Sequence, residues 1–148
     1  MVNKKNKKIN KNRNSIWWFI ALGVIIIAGI ALIINLSGRN QTGTLAMEVS
    51  VDQAHQLRSD GAFMLDVREP DEWTSGHIPG ATLIPLGQLP DRLNELPVDQ
   101  RIVVVCRSGN RSASGRDILI KAGFDQVTSM AGGMNEWANK AFEIVTGP

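Results

Sequence analysis

The chain has 148 residues, enough for one ordinary domain, and its formal net charge at pH 7 is +2. Residues 1–47 hold seven of the 16 Lys and Arg residues and no acidic residue, so nine bases face 14 acids in residues 48–148. That acidic excess excludes the clustered basic face of a nucleic-acid-binding domain. The single cysteine excludes an intramolecular disulfide and a cysteine-based metal site.

The amino-terminal part of the sequence predicts a membrane anchor. Residues 1–14 hold six Lys and Arg residues, and residues 15–36 carry no charge. As a helix, the apolar centre at 16–36 would be about 31 Å long, which matches the hydrocarbon thickness of a bilayer. Lys and Arg residues that flank a transmembrane helix favour the cytoplasmic side of the membrane. We therefore expect a basic cytoplasmic leader at 1–14, a single transmembrane helix at 15–36, and an extracytoplasmic domain on a bacterial plasma membrane.

A cleaved signal peptide is the alternative to an uncleaved anchor. Its apolar region is normally only about 7–15 residues long and is followed closely by small residues at the cleavage site. Here the nearest match, Thr44-Leu45-Ala46, lies eight residues beyond the apolar run. Residues 37–45, with two glycines among mostly polar neighbours, are predicted to be a flexible linker. Residues 46–148 then form the folded domain.

The domain is predicted to open with a helix over residues 51–58. Ser50 and Gln53 have the spacing of a capping box, in which each side chain bonds the other residue's backbone. Gly61 interrupts the chain after this helix.

Three apolar segments, 62–67, 101–106 and the weaker 126–131, are predicted to be strands. The first two are apolar without alternation, which is typical of strands covered on both faces of a parallel sheet. Helix-like stretches lie between and after them: one opened by Pro70, one from Pro90 to Leu96, and one from about Ser112 to Ala122. Strands that alternate with helices predict an α/β domain.

The carboxyl ends of these strands are the expected place for a binding site, because ligands of open parallel sheets bind there. Those ends carry Asp66 with Arg68, then Cys106, and then Gly132-Gly133.

The segment from Cys106 to Ser112 places a thiol at a strand end, before a glycine-containing loop and a helix. Backbone N–H groups of a tight loop can converge on one anion, and a helix amino terminus adds positive potential. Arg107 and Arg111 add two permanent cations. Gly109 can adopt a backbone conformation that residues with a Cβ rarely adopt. We expect Cys106 to be a thiolate at neutral pH.

Three stretches of the sequence carry a family resemblance. Residues 106–112 resemble the active-site loop of rhodaneses, the thiosulfate sulfurtransferases, in its Cys-Arg-x-Gly-x-Arg form. Residues 65–81 resemble the first signature of that family, and residues 132–137 resemble its last. The three stretches stand in the family's order and together cover about residues 46–145. The chain is similar to a single-domain, membrane-anchored rhodanese.

This resemblance implies a rhodanese-like three-layer domain with a central, mainly parallel sheet. It also implies that Cys106 attacks a small anionic sulfur donor such as thiosulfate, holds the sulfur as a persulfide, and passes it to a thiol, to cyanide or to a sulfur-accepting protein. No metal or organic cofactor is expected. The donor is expected to bind the rest of the loop: Arg107, Ser108, Gly109, Asn110, Arg111 and Ser112. Asp66 and Arg68 are expected to brace the neighbouring loop.

Two other functions are open at this point. Cysteine phosphatases and arsenate reductases also cradle an anion between Cys and Arg, but their loop is one residue longer than the four-residue spacing between Cys106 and Arg111. A non-catalytic binding module of the same fold is the second alternative.

The histidines and tryptophans are expected to have structural roles. His77 lies in a predicted turn, and a preformed thiolate needs no general base. His55 is expected at the surface, and Trp73 and Trp137 in the core.

Overall fold

The computed structural model describes residues 45–148. The predicted leader at 1–14, the predicted transmembrane helix at 15–36 and nearly all of the predicted linker lie outside the described residues. Within the described range, no helix is long and apolar enough to cross a membrane.

A parallel sheet of five strands forms the centre of the domain, in the order β1-β5-β4-β2-β3. The strands are β1 (Glu48–Val49), β2 (Phe63–Asp66), β3 (Thr82–Leu83), β4 (Ile102–Val105) and β5 (Val127–Met130). The three predicted strands are confirmed as β2, β4 and β5. Sequence reasoning missed β1 and β3, which are two residues long each.

Within residues 45–148, four α-helices accompany the sheet: α1 (Val51–Ser59), α2 (Pro70–Ser75), α3 (Asn110–Lys121) and α4 (Gly133–Asn139). The capping box of α1 is confirmed. The Gln53 backbone N–H donates to the Ser50 hydroxyl at 3.2 Å, and the Ser50 backbone N–H donates to the Gln53 side chain at 2.9 Å.

One helix prediction was wrong in type, and another differed only in its first residues. The stretch from Pro90 to Leu96 forms two short 3-10 turns, Leu89–Asp91 and Leu93–Glu95, instead of one helix. The following Pro97 disfavours a helical conformation at Leu96, so the segment does not extend. Helix α3 begins at Asn110, two residues before the predicted start.

Alternation along β4 divides the core into two layers. Val103 and Val105 belong to a buried cluster that includes residues of α1 and α4, among them the fully buried Trp137. Ile102 and Val104 belong to a second cluster that includes residues of α3. Because side chains of a strand alternate between faces, the helices cover both faces of the sheet, and the predicted α/β domain with a central parallel sheet is confirmed.

Parallel pairing brings the functional segments to one edge of the sheet. Asp66 at the end of β2 pairs with Val105 at the end of β4, so Cys106 follows at the same edge. Strand β5 lies on the other side of β4 and ends at Met130, just before Gly132 and Gly133. The expected convergence of these strand ends is therefore present.

Candidate active site

The loop between β4 and α3 folds around the sulfur atom of Cys106. The residue is 1% exposed, and the Gly109 backbone N–H donates to its Sγ atom at 3.1 Å. Gly109 has a φ of +107°, which L-residues with a Cβ rarely adopt, and it directly precedes α3. The glycine therefore allows the chain to turn its N–H toward the sulfur while the helix begins.

A buried serine hydroxyl completes the contacts of this sulfur. The Ser112 Oγ atom lies 3.7 Å from the Cys106 Sγ atom and donates to the Gly109 carbonyl oxygen at 2.7 Å. In the thiol form, the S–H group can donate to this hydroxyl oxygen. In the thiolate form, the hydroxyl hydrogen can rotate toward the sulfur, so Ser112 serves both protonation states.

The pKa of the Cys106 thiol lies below its usual value of 9.0. Burial is the largest single influence and by itself raises this pKa, because the thiolate loses solvation. Hydrogen bonds from the Ser112 hydroxyl and from the backbone N–H groups of Ser112, Ser108 and Gly109 lower it and together outweigh burial. This direction agrees with the expected thiolate.

Replacing Ser112 by Ala is expected to raise the pKa of Cys106, because the largest of the stabilising hydrogen bonds is lost while burial remains. A pH titration of thiolate absorbance or of alkylation rate measures the change. Ser114→Ala is the matched control, since Ser114 lies on the same helix with an exposed side chain that bonds only the Asn110 carbonyl, at 3.4 Å. Equal pKa values in the two variants would contradict the role of Ser112.

Arg111 is bound to a carboxylate that the sequence analysis did not single out. Its two terminal nitrogens donate to both carboxylate oxygens of Glu72, each at 2.7 Å. This bond from Arg111 is the main reason that the pKa of Glu72 falls to about 2, against a smaller opposing effect of burial. The expected donor-binding role of Arg111 stays a prediction, with its charge already balanced by Glu72.

Replacing Glu72 by Gln is expected to lower the free energy of unfolding at pH 7 by about 1 kcal/mol, as for other partly exposed ion pairs. The folded-state pKa of about 2 lies below the usual 4.5. The carboxylate therefore contributes fully above pH 4.5, and its contribution disappears as the pH falls through about 2. Urea unfolding of both proteins at several pH values measures the difference.

The exposed pair of Arg92 and Glu95 supplies the control for that experiment. Glu95→Gln is expected to change the free energy of unfolding less than Glu72→Gln, because the Glu95 side chain is 45% exposed and that of Glu72 only 23%. The difference in the free energy of unfolding between wild type and Glu72→Gln should shrink as the pH falls toward 2. A difference that stays constant down to the lowest pH at which both proteins fold would contradict the low pKa of Glu72.

Asp66 and Arg68 form a buried ion pair beside the loop. The Arg68 guanidinium contacts Asp66 at 2.7 Å, and the two residues are 4% and 1% exposed. The same guanidinium donates to the carbonyl oxygens of Glu72 at 3.1 Å and Gly76 at 2.8 Å. Arg68 therefore braces the α2 segment, which in turn holds Arg111 through the Glu72 side chain. The expected role of this pair in bracing the Cys106 loop stays a prediction.

The comparison with known protein families decides the assignment. The family model for the rhodanese-like domain matches residues 50–140. The chain belongs to the rhodanese family.

The names of similar proteins refer to a sulfur carrier or to sulfurtransferases. YrkF of Bacillus subtilis, named provisionally as a sulfur carrier protein, is 42% identical over 106 residues, which cover 72% of this chain but only 55% of YrkF. Thiosulfate sulfurtransferase GlpE of Stutzerimonas stutzeri is 35% identical over 86 residues, 58% of this chain and 79% of GlpE. The structure of the human single-domain sulfurtransferase TSTD1 has a TM-score of 0.61 and 26% identity, over 65% of this chain and 98% of that chain.

The backbone of α4 forms hydrogen bonds to the loop that carries Cys106. The Met134 N–H donates to the Cys106 carbonyl oxygen at 2.8 Å, and the Asn135 N–H donates to the Arg107 carbonyl oxygen at 3.0 Å. A Cβ on Gly133 would lie 2.5 Å from the Arg107 carbonyl carbon. The close approach of α4 to the loop therefore requires this glycine, and the pair Gly132-Gly133 was the signal for it in the sequence.

The remaining predicted loop residues face solvent. The side chains of Arg107, Ser108 and Asn110 are exposed, so the Ser108 contribution to the sulfur is that of its backbone N–H. Arg107 forms no ion pair with any residue in the range 45–148. Its expected role in binding the sulfur donor stays a prediction.

The aromatic residues differ in part from expectation. Trp137 is fully buried, as predicted, but Trp73 is only half-buried and stacks on His77 at 3.5 Å. The Nδ1 atom of His77 lies 3.1 Å from the Trp73 carbonyl oxygen, which gives this histidine a structural contact. The prediction of a surface position for His55 was wrong, because its half-buried ring stacks on Phe142 at 4.1 Å.

Among residues 45–148, no cluster of His, Cys, Asp or Glu side chains could hold a metal ion. The chemistry that the described loop offers is that of a shielded, hydrogen-bonded sulfur nucleophile.

Proposed function

We propose that this protein transfers sulfane sulfur from a small anionic donor such as thiosulfate to a thiol or cyanide, through a persulfide on Cys106. Its membership of the rhodanese family and its sulfurtransferase relatives support sulfur transfer in general. The observation that carries the finer proposal is the contact between the Gly109 N–H and the Cys106 Sγ atom at 3.1 Å. A fixed donor aimed at the sulfur favours an anion there.

In the first step, the Cys106 thiolate attacks the outer sulfur of thiosulfate. A bond forms between Sγ and that sulfur, and the bond to the central sulfur breaks. The electron pair of the broken bond leaves with sulfite, so the enzyme keeps a persulfide anion. No external oxidant or reductant is required.

In the second step, the acceptor attacks the outer sulfur of the persulfide. The Sγ–S bond breaks, and its electron pair returns to Cys106 as the thiolate. The backbone N–H groups and the Ser112 hydroxyl that lower the pKa of Cys106 therefore also stabilise the leaving thiolate of this step.

The test is to incubate the full chain with thiosulfate and to follow sulfite release and protein mass together. The proposal expects about one sulfite per chain in the first turnover, together with added mass of one sulfur atom on the peptide that contains Cys106. Cyanide should then remove that mass and release thiocyanate.

Three outcomes would contradict the proposal. Sulfur mass on any peptide without Cys106 would contradict the persulfide. Failure to accept sulfur from thiosulfate, a polysulfide and a mercapto acid would favour a binding module, and hydrolysis of an aryl phosphate would favour phosphatase chemistry.

We also propose that residues 15–36 anchor the protein in a bacterial plasma membrane with the rhodanese domain outside the cytoplasm. The uncharged segment and its preceding cations support this orientation. An epitope at the carboxyl terminus should be accessible to antibody on intact cells, and sequencing of the mature amino terminus should find residues 1–14. An inaccessible epitope would contradict the orientation, and a mature terminus after the apolar segment would contradict the anchor.

A further inference from the structure

The ion pair between Glu72 and Arg111 places a fixed negative charge beside the loop that carries Cys106. Arg111 directly precedes Ser112, whose hydroxyl oxygen lies 3.7 Å from the Cys106 Sγ atom. Both terminal nitrogens of Arg111 donate to the Glu72 carboxylate at 2.7 Å. The same carboxylate accepts the backbone N–H of Glu69 at 3.2 Å, which holds it at the start of α2. An anion on α2 therefore neutralises a cation of the loop.

The charge of Arg111 also interacts with the charge of Cys106. The pKa of the Arg111 guanidinium lies above its usual value of 12.5, first because of the hydrogen bond to Glu72 and, to a smaller extent, because of negative charge on Cys106. Burial acts in the opposite direction and is outweighed. Arg111 is therefore close enough to the sulfur for the two charges to affect each other. A group that neutralises Arg111 consequently makes the electrostatic potential at the sulfur more negative.

In the thiolate form of Cys106, the formal charges around the sulfur cancel. The thiolate and the Glu72 carboxylate are negative, whereas Arg107 and Arg111 are positive. The buried ion pair beside the loop adds no net charge. Arg107 lines the same cleft of about 600 Å³ as Glu72 and forms no ion pair among residues 45–148. A donor at the loop therefore meets one unbalanced cation and the thiolate that must attack it.

This balance of charges is unfavourable for a doubly charged donor. Coulomb energy is proportional to the product of two charges, so a carboxylate repels a dianion twice as strongly as a monoanion at the same position. Arg107 attracts both kinds of donor, but Glu72 and the exposed Glu69 carboxylate oppose it. Two arginines without the Glu72 carboxylate would instead favour the dianion.

We propose that Glu72 determines the charge selectivity of the sulfur-donor site, so that the site favours a singly charged sulfane donor over a doubly charged one. Glu72 acts through Arg111 and is a positioning residue. The inference rests on the proposed sulfur transfer and adds the charge class of the donor to it. With either kind of donor, the Cys106 thiolate attacks the outer sulfur, the bond to the central sulfur breaks, and its electron pair leaves with the departing anion.

Thiosulfate and methanethiosulfonate are a matched pair of donors for the test. A methyl group in methanethiosulfonate replaces one charged oxygen of thiosulfate, so the two ions have the same number of heavy atoms but differ by one negative charge. Thiosulfate releases sulfite, and methanethiosulfonate releases methanesulfinate. Thiocyanate formation by the full chain, with cyanide as acceptor and at constant ionic strength, gives kcat and KM for each donor.

Replacing Glu72 by Gln is expected to lower the KM for thiosulfate about tenfold and the KM for methanethiosulfonate about threefold, because the lost repulsion is twice as large for the dianion. The kcat values should change less than about twofold, since the effect is on donor binding. Glu72→Asp keeps the charge and should retain the wild-type ratio of the two KM values. A residue that only held Arg111 in place would change the KM of both donors equally.

Asp71→Asn is the matched control. Asp71 lies on α2 next to Glu72, has an exposed side chain and forms no ion pair within the range 45–148. The substitution removes the same charge from the same helix, but solvent and salt screen the exposed carboxylate. The ratio of the two KM values should therefore change less than about twofold.

A measurement on the wild type keeps the proposal testable if Glu72→Gln does not fold. Sulfate and methanesulfonate are unreactive analogues of the two donors and differ by the same charge. Their inhibition constants against thiosulfate are expected to agree within about fivefold, because a second negative charge gains little where the charges already cancel. Sulfate that binds tighter than methanesulfonate by more than this factor would overturn the role of Glu72 and leave sulfur transfer intact.

Two further outcomes separate this proposal from the proposed function. An unchanged ratio of the two KM values in folded Glu72→Gln would overturn the charge selectivity and leave sulfur transfer intact. Absence of thiocyanate from both donors in the wild type would instead overturn the proposed function.

Discussion

Replacing Cys106 by Ser is expected to lower thiosulfate-to-cyanide transfer by at least about a thousandfold, as for other enzymes that lose a covalent nucleophile. The serine hydroxyl is far less acidic than a thiol, and an oxygen at this position cannot hold the transferred sulfur as a persulfide. Thiocyanate release by the two full-length proteins at matched concentration measures the effect.

The fold should tolerate this substitution, because the smaller oxygen can accept the N–H bond of Gly109 that the sulfur now accepts. A thermal midpoint within a few degrees of the wild type is therefore expected and serves as the control. Transfer that persists in the serine variant at the wild-type rate would show that another group carries the sulfur. Since Cys106 is the only cysteine of the chain, no second thiol could replace it.

Replacing Gly133 by Ala is expected to lower the free energy of unfolding more than replacing Glu72, Cys106 or Gly80 does. The added Cβ would lie 2.5 and 2.6 Å from the carbonyl carbon and oxygen of Arg107, and it would also clash with the carbonyl oxygen of Cys106. The chain must then separate α4 from the loop, which breaks two backbone hydrogen bonds worth about 1 kcal/mol each. With the cost of a φ of +59° for alanine, we expect a loss of about 3 kcal/mol.

For a domain of this size, such a loss lowers the thermal midpoint by about 10 °C or more. Gly80→Ala is the matched control, because Gly80 has a φ of +77° but no atom within 4 Å of the added Cβ. Gly80→Ala should lower the free energy of unfolding by only about 1 kcal/mol, the cost of an alanine at a positive φ. Equal midpoints for the two variants would contradict the clash between α4 and the loop. Because that clash lies on the Cys106 carbonyl, sulfur transfer should fall in Gly133→Ala and persist in Gly80→Ala.

Local physics explains which elements the sequence predicted. The capping box of α1 depends on residues three apart, and the buried strands β2 and β4 leave continuous apolar runs because helices cover both faces of the sheet. The short strands β1 and β3 leave no such run. Each is defined by hydrogen bonds to a strand that is distant in sequence or separated by a helix, so local pattern cannot reveal it.

The candidate site likewise contains residues that the sequence predicted and one that it did not. Cys106, Gly109 and Ser112 lie within seven consecutive residues, so the sulfur, its N–H donor and its hydroxyl partner were all visible in the sequence. Glu72 lies 39 residues from Arg111, and nothing in its neighbourhood indicates that it will balance that charge. Its position depends on how the strand edge and α2 pack together.

The sequence by itself determined the candidate nucleophile, the loop that carries it and the three main strands, because short-range hydrogen bonding and apolar patterning depend on residues that are neighbours in the chain. Only the tertiary structure decided that Arg111 is paired while Arg107 forms no ion pair among residues 45–148. It also decided that backbone N–H groups of α4 bond to the Cys106 loop, and that a cleft adjoins both α4 and this loop. These features depend on distances between segments that only the parallel sheet brings to one edge. Backbone N–H groups are also nearly the same in every residue type, so the sequence does not show which of them will bond to the loop.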